Sequence, residues 1–131
     1  MELHVSSQAT TQERLAVLDR WYRNQLRDAL AQLTSKWEVE LGVTASRWGV
    51  KRMKTKWGSC NPTSGSIWVN SELTKKPLEC LEYIVVHELV HLLVPRHGEA
   101  FGSKMDSCLP NWRLRRDLLN SSPLAHEEWV Y

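Results

Sequence analysis

Residues 83–94 read Tyr-Ile-Val-Val-His-Glu-Leu-Val-His-Leu-Leu-Val, with Pro95 next. From Ile84 to Val94 every residue is apolar except His87, Glu88 and His91. Pro77 can open a helix as its first residue and Pro95 stops one, so the spacing predicts a helix from Leu78 to Val94. Its second half is apolar nearly all the way round, which puts it at the centre of a core. Burying two imidazoles and a carboxyl there without partners would cost about 1–3 kcal/mol per group, and more for an ionised carboxylate.

His87-Glu88-Leu89-Val90-His91 has the form HExxH. Positions four apart on a helix stand one turn above each other, so both imidazoles can bind one ion while Glu88 reaches a metal-bound water. A metal and its water would satisfy all three buried groups. His97 supplies a third ligand once Pro95 has ended the helix and the chain turns back; Glu99 and Asp106 are the alternatives. The spacing equals that of the metzincins, but Val94 stands where their glycine would be and no Met-turn follows, which disfavours that class. Three neutral histidines leave the fourth position of Zn2+ for a water, whose pKa falls from about 15.7 to about 7. Glu88 would take a proton from that water as it attacks, then hand it to the leaving group. These residues predict a hydrolase with one Zn2+ per chain and leave its substrate open.

Upstream, Thr10-Thr11-Gln12-Glu13 has the form of a capping box. After it Leu15, Leu18, Tyr22, Leu26, Ala29, Leu33 and Trp37 recur at steps of three and four, which predicts a helix over 11–41 with one buried stripe and Gly42 as its cap. Residues 47–57 and 66–70 read as strands of a hairpin joined by the turn-rich GSCNPTSG, with Arg52, Lys54 and Lys56 on one face of the first. Short helices are expected over 99–107 and 110–120, and a short strand over 2–5. The whole chain, 1–131, reads as one α+β domain with a long N-terminal helix, a small antiparallel sheet and a buried HExxH helix.

The run from Arg52 to Cys60 (RMKTKWGSC), then IWVNSEL, LEYIVVHELVHLLVPRHGEAF, PNWRLRRDLLN and HEEW, closely resembles the YgjP-like metallopeptidase domain. The resemblance covers most of the chain, from about residue 11 to Trp129. It implies a zincin-type core similar to SprT-like and WLM-type proteases, with His87, His91 and His97 as ligands and Glu88 as catalytic acid/base. Members of the family usually carry a β-rich stretch before the first long helix, of which only MELHV remains here. Some are regarded as acting on UTP, so a nucleoside-triphosphate hydrolase stands beside the peptidase; a metal-stabilised module binding DNA or protein is third.

With 131 residues and a net charge of +2, the chain is long enough for a core without disulfides and too nearly neutral to imply nucleic acid by charge alone. Between Gly42 and Ser71, however, there is no acid, while Arg47, Lys51, Arg52, Lys54 and Lys56 add five positive charges. This basic stretch, 47–56, reads as a solvated edge, a seat for nucleotide or nucleic acid, or an edge to which an extended peptide adds. Arg52, Lys54, Lys56 and Trp57 are therefore candidate substrate contacts, although Trp57 and Trp68 read first as core. Cys60, Cys80 and Cys108 form no CxxC pair, and Cys60 reads as inert packing. Arg113, Arg115 and Arg116 read as a helix-surface cluster, one of which could serve an oxyanion. His4 and His126 read as bystanders. Without a signal or a membrane span, the expected place is the cytoplasm and the expected partner a protein or peptide substrate.

Overall fold

The computed structural model describes residues 10–121, with the elements α1 (Thr11–Leu41), β1 (Arg47–Lys51), β2 (Gly58–Asn61), β3 (Ser66–Asn70), a 3-10 turn (Ser71–Lys75), α2 (Leu78–Leu93), α3 (Glu99–Cys108) and α4 (Trp112–Asn120). The strand expected at 2–5, both bystander histidines and the HEEW segment lie outside the described residues. Among the described residues no helix is long and apolar enough to cross a membrane.

Thr10 opens α1 by accepting a hydrogen bond from the Glu13 amide, and Gly42, at φ 67°, closes it in the left-handed conformation. The expected stripe is buried only from Leu26 onward; Leu15 and Tyr22 stay exposed. The buried half lies against α2, whose residues from Tyr83 to Val90 are all inaccessible to solvent or nearly so. Glu82 ties three helices together. Its carboxylate accepts hydrogen bonds from Trp37 Nε1 at 2.8 Å and Lys36 Nζ at 3.2 Å, and from Arg115 Nη1 at 2.6 Å.

The sheet corrects the expected strand pattern. Its order is β1-β3-β2; β2 pairs antiparallel with β3, but β1 pairs parallel with it, so the sheet is mixed. The segment read as one strand over 47–57 breaks after Lys51, and the hairpin partner of β3 is the GSCN that read as turn. The break is imposed by Asn70, which is fully buried. Its Nδ2 donates to the carbonyls of Met53 at 3.0 Å and Lys56 at 2.7 Å, while its Oδ1 accepts from the amides of Met53 and Glu72. These bonds hold residues 52–57 as a loop, so Arg52, Lys54 and Lys56 do not share a strand face. Asn61 then shapes the real hairpin turn, its Oδ1 accepting from the amides of Thr63 and Ser64.

Candidate metal centre and active-site cleft

The ends of α2 and of the turn after it bring three imidazoles together. His87 Nε2 lies 3.2 Å from His97 Nε2, and His91 Nε2 lies 2.9 Å from His97 Nε2. All three possible ligand atoms lie within 4.8 Å of one another. Two nitrogens bound to one tetrahedral zinc at about 2.0–2.1 Å stand about 3.3 Å apart, so the observed spacing is close to that of a shared ion. The proton inventory agrees. His91 Nδ1 faces the Val94 carbonyl at 3.3 Å, and His87 Nδ1 faces Glu88 Oε2 at 3.2 Å. Both oxygens accept, which puts each ring's proton on Nδ1 and turns a lone pair on Nε2 toward His97. His97 Nε2 can donate to only one of them. A cation resolves the conflict, and the donor set of neutral imidazoles suits a divalent transition metal.

Burial pushes the His91 and His97 imidazoles below their ordinary range, and neighbouring His87 adds to the shift while Glu88 opposes it. Both rings are thereby kept neutral, as ligands must be. Phe101, from α3, packs on all three rings, with centroids 5.1, 4.7 and 4.8 Å from those of His87, His91 and His97. Sequence reading missed this residue, although its position four residues after His97, opening a helix, was a usable signal.

The triad borders a cleft of about 420 Å³. Glu88, only 3% exposed, lies on it beside His87. Gly58, Ser59 and Cys60 of β2 form part of its lining, and the preceding loop adds Thr55 and Lys56. Among the described residues, β2 is an end strand of the sheet. Burial, with the charge of Glu88 in addition, pushes the Cys60 thiol up to about 11, so it stays protonated and unreactive.

The other candidates are dispersed. Trp57 is fully buried, so it is core and cannot touch a substrate. Arg52 stands 3.9 Å from Glu72 on a separate cavity, and Lys54 lines neither. Of the candidate substrate contacts only Lys56 reaches the cleft. Neither alternative third ligand joins the triad. Asp106 is engaged by Trp112 Nε1 at 2.8 Å and Arg113 Nη1 at 2.7 Å, which hold its carboxyl below the usual range. Arg115 serves Glu82, and Arg113 and Arg116 lie over the Trp112 ring, so none of these arginines lines the cleft.

Residues 1–122 match the model of the YgjP-like, metallopeptidase domain family, and the chain belongs to that family. It is a hydrolase of the metallopeptidase class, which implies a divalent metal and a peptide or protein substrate. Its fold is similar to the crystal structure of the metallopeptidase zymogen abylysin of Pyrococcus abyssi, with a TM-score of 0.63 and 18% identity over 80% of this chain and 99% of that one. The zymogen jannalysin of Methanocaldococcus jannaschii is also similar, with a TM-score of 0.54 and 21% identity over 70% of this chain and 92% of that one. No curated protein matches the chain.

Proposed function

We propose that this metallopeptidase is zinc-dependent and uses Glu88 as its general base and acid. The observation that carries the reading is the convergence of three imidazole Nε2 atoms beside a buried carboxylate, on a cleft bordered by the end strand β2. His87, His91 and His97 would hold the ion. When bound, it supplies a Lewis acid that polarises a carbonyl and acidifies a water.

The chain's own residues supply the rest. As an end strand of the sheet, β2 is where an extended peptide would add, which would lay the scissile bond beside the triad. Glu88 accepts a proton at its carboxylate from the attacking water and delivers it to the amine nitrogen as the C–N bond breaks. Its burial keeps bulk water from competing for that proton. Val94 O and Phe101 hold the ligand rings in place, so little reorganisation accompanies the reaction. A nucleoside triphosphate is the weaker reading, because its charge needs several cations and the cleft lining offers Lys56 alone among the described residues.

The test is Glu88→Gln. Hydrolysis of casein or a fluorogenic peptide should fall by about 100-fold or more, while elemental mass spectrometry still finds close to one zinc per chain. Release of pyrophosphate from UTP with no peptide cleavage by the wild type would overturn the peptidase reading. Absence of zinc in protein given the metal back would overturn the metal assignment.

A further inference from the structure

We propose that Lys56 sets specificity in this cleft by receiving a carboxylate of the bound peptide, supplied by an Asp or Glu beside the scissile bond or by the peptide's own C-terminus. The inference rests on the peptidase reading of the same site. Among the described residues the cleft lining carries one basic side chain outside the histidines, Lys56, and one acid, Glu88. No carboxylate among the described residues pairs with the Lys56 ammonium, whereas Arg52 and Lys75 are both committed to Glu72. Arg47 and Lys51 lie over the ring of Trp68, at 5.3 and 4.7 Å, and neither lines the cleft.

The backbone that carries Lys56 is fixed on both sides. Its carbonyl accepts the 2.7 Å bond from Asn70, and the next residue, Trp57, is fully buried with its carbonyl bonded to the Asn70 amide at 2.9 Å. Only the exposed side chain has freedom left to lose on binding, which lowers the entropic cost of meeting an anion. Thr55 and Ser59 also line the cleft, and a hydroxyl is able to donate to a carboxylate. Glu88 repels an anion from its own part of the cleft, so the charge pattern directs an acidic group toward the loop. With no acid between Gly42 and Ser71, nothing in that stretch opposes the attraction.

The experiment uses zinc-loaded protein and fluorogenic octapeptides in matched pairs. One pair carries Glu or Gln beside the scissile bond; the other has a free or an amidated C-terminus. At low ionic strength the wild type should favour the acidic member of one pair by about three- to tenfold in kcat/KM. That ratio should fall to about one in Lys56→Gln, invert in Lys56→Glu, and shrink with added salt. The pair that responds identifies the source of the carboxylate. No preference in either pair, or one that survives Lys56→Gln, overturns the proposal.

Fluorescence anisotropy of the same peptides on Glu88→Gln protein, with and without Lys56→Gln, reads recognition apart from turnover. A Lys56-dependent acidic preference in binding, together with a wild type that cleaves neither peptide, would support the carboxylate site and refute the peptidase reading. Equal binding of both members in both proteins would refute the carboxylate site.

Discussion

Gly58 packs tightly on Glu88: a Cβ at position 58 would stand 3.3 Å from Glu88 Cγ, and at 2.9 Å from Ile84 Cγ2 it would force Ile84 or the strand to move. Its φ is not positive, so the residue is needed for space and not for a special turn. In Gly58→Ala, Ile84 or β2 must move, and the Glu88 side chain must give by a few tenths of an ångström. The expected outcome is a loss of about 1–3 kcal/mol in urea unfolding, with a fall in kcat larger than any change in KM. An unchanged kcat would show that this contact does not hold the carboxylate.

Phe101 touches every ring of the triad and is only 5% exposed. Phe101→Leu keeps most of the volume but removes the ring that stacks on His91 and meets His87 and His97 in T-shaped contacts. Stability should change by less than about 1.5 kcal/mol, while zinc affinity, measured by chelator competition, weakens about tenfold. Equal affinities would mean that α2 alone orients the ligands.

Removing metal should lower the melting temperature. At a free zinc concentration about 100 times its dissociation constant, the bound ion contributes about 2.7 kcal/mol. For a domain of this size that is a shift of about 10 °C. The shift should be reversed by zinc and strongly reduced in His97→Ala, with calorimetry as the readout.

Glu82 gives an acid-sensitive contribution to stability. Burial alone would raise its pKa, but hydrogen bonds from Arg115, Trp37 and Lys36 outweigh burial and hold it below the ordinary value of 4.5. A carboxyl whose folded pKa is depressed stabilises fully above its unfolded pKa and loses that contribution as pH falls through the folded one. Glu82→Gln should therefore cost about 1–3 kcal/mol at pH 7, and the gap from wild type should close as the pH drops below 4.5. Urea midpoints across that range check both the size and the sign.

The helices were legible because their signals are local. The pattern from Leu26 to Trp37, the cap at Thr10 and the prolines at 77 and 95 each act within a turn or two of the helix they define. The His87, His91 and His97 grouping was legible for the same reason. The sheet was not, because Arg52 to Trp57 alternates as a strand does and only a distant Asn70 side chain bends it into a loop. Trp57 and Lys56, adjacent in sequence, consequently part company: one is core and the other lines the cleft. The exposed first half of α1 shows the same limit, since periodicity marks a face without saying what covers it.

All three imidazoles come from the single stretch between His87 and His97, and Phe101 follows immediately. Gly58 and Lys56, which complete the cleft, meet that stretch across a long span of chain. Contacts between sequence neighbours have little loop-closure entropy to overcome, so ion capture is compatible with an early stage of folding and assembly of the strand edge with a later one. Metal can then act as a template on which the remaining chain condenses. Zinc content by itself therefore does not certify a competent cleft: a misassembled molecule can carry a full complement of ion and still have no edge on which to lay a peptide.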